Sequence, residues 1–413
     1  MLSNTYSIDQ LGLLDSATVM VNTLQEIFGF PAFRPYQEDI VQAITDGRDV
    51  FAVMPTGGGK SLCYQLPAYL IPGVCLVVSP LISLMKDQVD AAKRRGLRAD
   101  YLNSSQTPEE REVVQKRLTE GHLDLLYVSP ERLATAEFRQ QMEGLLLSFI
   151  AIDEAHCISD WGHDFRPDYL GLADLVHQFP NTPIAAFTAT ATLTVQADII
   201  SRLSLRDPFC VRASFNRENL YYAAEPKEDV NRQILDFIRL HPKQHGIVYR
   251  CTRSDVEETA QWLVRHGIKA LPYHAGLNDR VRINNQNAFD RGRVHVVVAT
   301  IAFGMGIDKP DVRFVVHGDL PRTLEAYYQE TGRAGRDGAR ADCLLLHSPS
   351  DADRLRYFIN QSDNPTKRAH ALESLQQMVA FTSGHSCRRK RLLAYFGENL
   401  PTEKCGLCDW CAP

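Results

Sequence analysis

The 413-residue chain contains no apolar run long enough to span a bilayer, so a membrane-spanning helix is not expected. Its first residues, Met1-Leu2-Ser3-Asn4-Thr5-Tyr6, lack the basic-then-apolar pattern of a secretory signal, which makes the cytoplasm the expected compartment. No low-complexity linker and no short-period repeat interrupts the chain, which argues against solenoids and disordered adaptors. An excess of positive charge is also missing. The 45 Lys and Arg stand against 50 Asp and Glu, a net charge of −5. That balance speaks against a nonspecific polybasic binder, yet leaves room for a local basic groove. What remains is a globular composition, 44% apolar and 23% charged, with a length that suits two or three domains.

One missing residue is informative by its context. Met54-Pro55-Thr56-Gly57-Gly58-Gly59-Lys60-Ser61 has the form of a P-loop, except that Met54 stands where the first glycine is expected. It follows an apolar run, Asp49 to Val53, that reads as a buried strand. Glycines let backbone N–H groups approach a polyphosphate closely. Lys60 is suited to the β- and γ-phosphates, Ser61 to Mg²⁺, and the helix that follows would point its N-terminus at the same anion. A plain Gly-rich turn is the competing reading.

Short branched runs alternate with helical stretches. Val74–Val78, Leu123–Val128, Phe149–Ile152 and Ile184–Phe187 form one set. Gly246–Tyr249, Val294–Ala299, Arg313–Val316 and Ala341–Leu346 form a second set of similar plan. Such runs imply parallel sheets covered on both faces, with ligands at the C-terminal ends of the strands. Beyond about residue 350 the composition turns helical.

Three constellations fall at such strand ends or in the second set. Asp153-Glu154-Ala155-His156 follows Ile152. An adjacent pair can divide two tasks, Asp153 holding Mg²⁺ and Glu154 polarising the attacking water; an acidic strand-to-helix turn without duty is the alternative. Thr188-Ala189-Thr190-Ala191-Thr192 follows the next run and is equally ordinary as a helix cap. Arg333 and Arg336, in Gly332-Arg333-Ala334-Gly335-Arg336, lie three residues apart, a spacing that places both guanidinia on one side of a helix or turn. An arginine there can stabilise a transferring phosphoryl group, or simply belong to a surface Arg–Asp network.

The order of these motifs resembles superfamily 2 helicases, and the details resemble the RecQ family of DNA helicases over nearly the whole chain. The resemblance implies an α/β chain with two tandem RecA-like parallel-sheet domains followed by a small helical zinc-binding subdomain. The expected boundaries are an N-terminal extension at 1–20, an ATP-binding domain at 21–212, a second helicase domain at 213–348 and a Cys₄ zinc domain at 349–413. Phe28-Gly29-Phe30 with Phe33-Arg34-Pro35-Tyr36-Gln37 resembles the adenine-reading motif. It implies that Phe30 stacks on the base, Arg34 braces the nucleotide and Gln37 contacts the adenine edge, while Phe28 and Phe33 are read as core. With them, Thr56, Gly57, Gly58, Gly59, Lys60, Ser61 and Asp308 would form the nucleotide site. The run Ile158 to Pro167 resembles the family's aromatic-rich loop and assigns Trp161, His163, Phe165 and Arg166 to DNA, stacking on unpaired bases and touching phosphate. In the second set, His274 and Thr300 resemble backbone-gripping positions, and Arg336 is the expected arginine finger beside Arg333.

Ten cysteines divide unevenly. Cys63, Cys75, Cys157, Cys210, Cys251 and Cys343 are scattered, mostly in apolar surroundings, and read as buried free thiols. Cys387, Cys405, Cys408 and Cys411 have the spacing of a tetrahedral Zn²⁺ site, with a disulfide pair as the alternative. Arg388-Arg389-Lys390-Arg391 reads either as a basic face for phosphates or as a solvated helix face. Typical members of the family continue into a winged helix, whereas the sequence here runs two residues past Cys411.

The expected activity is therefore an ATP- and Mg²⁺-dependent DNA helicase moving 3′ to 5′ on single-stranded DNA and opening duplexes in recombination and repair. Two rivals stand beside it. One is a DEAH-type RNA helicase, against which the aromatic loop and zinc module argue. The other is a nucleotide-gated DNA-binding or annealing protein with little productive unwinding.

Overall fold

The computed structural model describes residues 15–80, 82–162, 164–301, 303 and 309–412. Two expected site residues, His163 and Asp308, lie outside the described residues, as does most of the expected N-terminal extension. The chain divides into two compact units, Met1–Ala213 and Ser214–Pro413.

The first unit is a seven-stranded parallel sheet. Its strands are β1 (Val50–Val53), β2 (Val74–Val78), β3 (Ala99–Leu102), β4 (Leu125–Val128), β5 (Leu147–Ile152), β6 (Ile184–Thr188) and β7 (Phe209–Arg212), in the spatial order β3-β4-β2-β5-β6-β1-β7. Strands β1, β2, β4 and β6 are buried along their whole length, which is why they read as unbroken apolar runs. Asp49, buried just ahead of β1, accepts the Ile184 and Arg206 N–H groups at 2.9 and 2.7 Å and so ties neighbouring strand starts together. Because β5, β6 and β1 are adjacent and parallel, the turns that leave them emerge side by side: Asp153 N–H bonds Val78 O of β2, and Met54 N–H bonds Thr188 O of β6, both at 2.9 Å.

The second unit is a six-stranded parallel sheet, β8 (Leu220–Pro226), β9 (His245–Tyr249), β10 (Ala270–Tyr273), β11 (Val296–Ala299), β12 (Val312–His317) and β13 (Ala341–His347), in the order β10-β11-β9-β12-β13-β8. Helices Pro349–Asn360, Pro365–Ser383 and Arg388–Tyr395 follow. They do not hang from the sheet. Phe396 stacks on Phe215 with ring centres 4.2 Å apart, and Glu398 accepts the Phe215 N–H at 2.7 Å. The Cys408 segment extends the open edge of β8: Tyr222 and Cys408 form a parallel bridge, Asp409 N–H donates to Tyr222 O at 3.0 Å, and the Asp409 carboxylate accepts the Ala224 N–H. An unpaired sheet edge is thereby covered.

The run of basic residues at 388–391 divides: Lys390 and Arg391 are partly exposed, while its first two arginines turn into the fold. Arg388 and Arg389 are buried. Arg388 forks onto Asp409 at 3.0 Å and caps the carbonyls of Phe381 and Thr382, while Arg389 bonds Leu220 O at 2.6 Å. Lys390 pairs with Glu403. A guanidinium with five donors can satisfy several helix-end carbonyls at once, as Arg388 does. Among the scattered cysteines, Cys63, Cys75, Cys157 and Cys343 are buried, whereas Cys210 and Cys251 are exposed. No helix of the described residues is long and apolar enough to cross a membrane.

Candidate nucleotide and nucleic-acid site

The glycine turn leaves β1 and enters the helix Lys60–Leu70, with Gly59 as its N-cap. Gly57 and Gly59 have φ of +82° and +81°, a region that glycine enters freely. At Gly58 a Cβ would lie 2.9 Å from Pro55 O, and at Gly59 it would run into Gln37 Nε2. The loop is thus a close-fitting cradle that only small residues can line. Met54, the departure from the usual pattern, is buried in the core and contributes a carbonyl on which Lys60 Nζ rests at 3.2 Å.

The neighbouring motif touches this loop directly. Arg34 donates to Gly57 O at 2.6 Å. Gln37 is buried; its Oε1 accepts the Arg34 N–H at 2.8 Å and its Nε2 donates to Gly59 O at 3.1 Å. Both ends of the Gln37 amide are therefore spent on the loop and its own turn, so an adenine contact would require these bonds to be exchanged. Phe28 is buried in the core and Phe33 packs against it, while Phe30 is 39% exposed. Arg95 lies near the Phe30 ring, 5.9 Å from its centre.

Asp153 and Glu154 leave β5 beside the loop. Glu154 adopts φ +49°, ψ +46°, a conformation a non-glycine residue holds only under structural constraint, often at functional sites. Among the described residues its Oε2 is buried without a hydrogen-bond partner; His156 Nδ1 sits 3.3 Å away from it and 2.9 Å from Thr188 Oγ1. Burial pushes the Asp153 carboxyl up, the adjacent Glu154 adds to the push, and Lys60 works against both. A crowded carboxylate pair with one orphaned oxygen, next to a lysine, is the electrostatic setting in which a divalent cation fits. Ser61, at the start of the helix, lies on the same loop. Tyr169 steadies the pair by donating to Asp153 O at 3.0 Å.

The aromatic loop is latched to the same turn. Arg166 holds Asp164 Oδ2 through Nε and Nη2 at 3.2 and 3.0 Å and reaches Pro80 O at 3.0 Å; its own N–H bonds Cys157 O at 2.9 Å. Trp161 and Phe165 are partly exposed. Sequence reasoning missed the far anchor: Ser159 donates to Asp198 at 2.7 Å, and Arg202 bridges Asp198 and Asp160 at 2.9 Å each. The only signal was the i, i+4 spacing of Asp198 and Arg202, which marks many helix faces without meaning anything for a loop.

In the second unit, Arg333 is buried and its Nε has no hydrogen-bond partner among the described residues, while Arg336 is partly exposed in the turn after the helix Leu324–Thr331. Thr300 is partly exposed at the end of β11. His274, expected to contact a strand phosphate, is buried. It is 3% exposed, with Nε2 3.0 Å from Glu257 and Nδ1 buried without a partner.

The four C-terminal cysteines converge. Their sulfurs all lie within 4.8 Å of one another, and all four are free thiols rather than disulfides. Cys387 Sγ and Cys405 Sγ accept the Lys390 and Leu407 N–H groups at 3.5 and 3.3 Å. Four convergent sulfurs with backbone N–H support fit a structural zinc ion.

Comparison with known proteins matches this layout. The DEAD/DEAH box helicase family model matches residues 34–199, the helicase conserved C-terminal domain 228–338 and the RecQ zinc-binding model 349–412. The ATP-dependent DNA helicase RecQ of Haemophilus influenzae is 46% identical over 391 residues, covering 95% of this chain and 63% of that protein. The chain thus spans less than two thirds of that relative's length. Among solved structures, Mycobacterium smegmatis helicase Lhr bound to ssDNA and AMP-PNP aligns with a TM-score of 0.63 at 21% identity, over 90% of this chain and 53% of that one. Saccharomyces cerevisiae Dbp5 bound to RNA and ADP BeF3 aligns at 0.66 and 15% identity, over 91% of this chain and 100% of that one. At such identities the two structures speak for the fold.

Proposed function

The chain belongs to the RecQ family of helicases, carrying its motor core and zinc-binding region, and we propose from that premise that it is an ATP-driven DNA motor. The observation that carries the reading is local to the first unit. A glycine cradle and a lysine resting on a neutral carbonyl follow β1, and a buried carboxylate pair follows β5, the two strands that flank β6.

Lys60 exchanges the Met54 carbonyl for phosphate oxygens, a charge-assisted and therefore stronger partner. Arg34 and Phe30 hold the nucleoside end. Gln37 and Asp308 complete the nucleotide contacts, Gln37 by giving up its loop bonds. Ser61 and Asp153 hold Mg²⁺, which when bound supplies the charge neutralisation that phosphoryl transfer needs. Glu154 orients and deprotonates the attacking water through the oxygen that lacks a partner. Arg336 stabilises the charge that develops on the transferring group, with Arg333 as its buried support. Trp161, His163, Phe165, Arg166 and Thr300 engage unpaired DNA, and the hydrogen bonds between Arg166, Asp164 and Cys157 relay the strand's presence to the carboxylate turn. His274 reaches a phosphate of the tracking strand by giving up its contact with Glu257. Cys387, Cys405, Cys408 and Cys411 hold zinc, whose contribution is folding energy.

The partners on this reading are single-stranded and partly duplex DNA, the polarity is 3′ to 5′, and the work is done in the cytosol. The annealing alternative keeps the nucleotide site but not the stepping. An assay on a 3′-tailed duplex separates them. The motor reading expects strand separation with ATP and none with a non-hydrolysable analogue. Equal strand exchange under both conditions, or separation only of a 5′-tailed duplex, would contradict it.

A further inference from the structure

His156, Cys157 and Asp164 form a cluster that the reading above uses only for its hydrogen bonds. One ligand atom from each lies within 4.8 Å of the others. Cys157 Sγ is 3.8 Å from His156 Nε2 and 4.0 Å from Asp164 Oδ2. Around a tetrahedral zinc ion, with bonds of about 2.0–2.3 Å, ligand atoms sit roughly 3.3–3.8 Å apart, so small side-chain adjustments suffice to close the set.

Thr188 Oγ1 lies 2.9 Å from His156 Nδ1 and 3.1 Å from Thr190 O. In the tautomer that a metal would require, Nδ1 carries the ring proton and Thr188 accepts it, which leaves Nε2, on the Cys157 side, as the ligand atom. Thr188 is then to this imidazole what an outer-shell acceptor is to a metal-bound histidine: it holds that tautomer and ring orientation. His156 and Cys157 are each 1% exposed, and Asp164 is partly exposed, so the cluster opens toward solvent only on the aspartate side.

We propose that His156 Nε2, Cys157 Sγ and the Asp164 carboxylate form a second metal site, for a thiophilic divalent cation such as Zn²⁺, between the carboxylate turn and the aromatic loop. A mixed sulfur, nitrogen and oxygen set selects zinc-like ions over Mg²⁺. On binding, the thiol gives its proton to solvent and the sulfur forms the metal bond; no electron is transferred, and water fills the fourth position. The cation must share Asp164 with Arg166, whose Nε and Nη2 already hold Oδ2. This site is therefore weaker than the four-cysteine cluster and serves as a reversible brake. Resting on the proposed function, its occupancy would pin Asp164 to His156 and keep the aromatic loop from signalling strand binding.

The test uses the zinc-loaded chain titrated with Co²⁺, following the near-ultraviolet thiolate-to-cobalt band together with any zinc released from the four-cysteine cluster. One further equivalent of cobalt, one proton released per ion and no zinc displacement are expected. Cys157→Ser removes the band, and Thr188→Val weakens binding about tenfold by unfixing the tautomer. Should Cys157→Ser not fold, Asp164→Asn is expected to weaken the same band. A wild-type chain that shows no such band at millimolar cobalt, or a band that survives these substitutions without zinc release, overturns the site. The readout needs neither ATP nor DNA, so it fails independently of the motor reading.

Discussion

Lys60 rests its ammonium on a main-chain carbonyl 3.2 Å away, while the glycines beside it keep the loop clear of any Cβ. That pairing of a charged donor with a weak neutral acceptor makes the lysine the residue most readily redirected to phosphate. Lys60→Ala is expected to lower ATP turnover by about 10² to 10³ fold, the usual cost of losing one donor to a developing anion, while DNA binding persists. Undiminished DNA-stimulated hydrolysis in that variant would remove the residue from the site. At this scale the sequence was most legible where chemistry leaves a mark in order and spacing: Gly57 to Ser61, Asp153-Glu154, and the four cysteines. It was least legible where a side chain's partner is remote in sequence. Nothing in the run of basic residues at 388–391 told that Arg388 would find Asp409 and Arg389 the Leu220 carbonyl. Gln37 and His274 show the same limit, since each is a plausible ligand contact by type and each is buried against its own fold.

At the scale of elements, the central strands announced themselves because burial on both faces demands unbroken apolar runs, as in β1, β2 and β6. The strands left unread were β3, β7, β8 and β10. All four are the edge strands of their units, and Asp100, Arg212, Glu225 and Pro272 break their apolar runs. The aromatic loop is an element whose place was expected but whose anchoring was not. With Arg166 reaching Pro80 and Asp164 while Ser159 holds Asp198, its rings are fixed relative to the carboxylate turn. Trp161→Ala and Phe165→Ala are therefore expected to reduce stimulation by single-stranded DNA several-fold while basal hydrolysis changes little. Equal loss of both rates would show that the loop supports the fold of the turn instead of reporting on DNA. A second element-scale joint ties the sheet of the second unit to the helix Pro349–Asn360. Asp319 accepts Lys227 and Arg250 at 2.9 Å each, and Lys227 also bonds Asp351. Burial alone would push the Asp319 carboxyl up, but Arg250 and Lys227 outweigh it and hold it well below the usual carboxylate range. A carboxyl with a depressed folded-state pKa contributes stability that is fully present above its unfolded value, about 3.9, and lost as the pH falls through the folded one. Asp319→Asn leaves two cations near one another without their shared partner. It is expected to destabilise this unit by about 3–5 kcal/mol at neutral pH, with the difference from wild type shrinking in acid. A denaturation midpoint unchanged at neutral pH would show the joint to be dispensable.

On the scale of the whole molecule, the two units repeat one plan, a parallel sheet with its polar chemistry where the strands end, and that plan was legible from the alternation of apolar runs. The helical region after β13 adds an extra rung to β8 through Cys408 and Asp409, so the zinc ligands and the sheet edge are one structure. What the alternation did not reveal is this dependence, because a single bridge residue leaves no periodic trace. Each unit thus brings a different part of the proposed motor, the first the nucleotide cradle and strand-sensing loop, the second the arginine pair and the zinc-stiffened edge. The most direct measurement is the steady-state ATPase rate of the zinc-loaded chain with Mg²⁺, with and without single-stranded DNA. The account predicts a rate that rises many-fold with unpaired DNA and far less with RNA of the same sequence; a rate indifferent to DNA would contradict it.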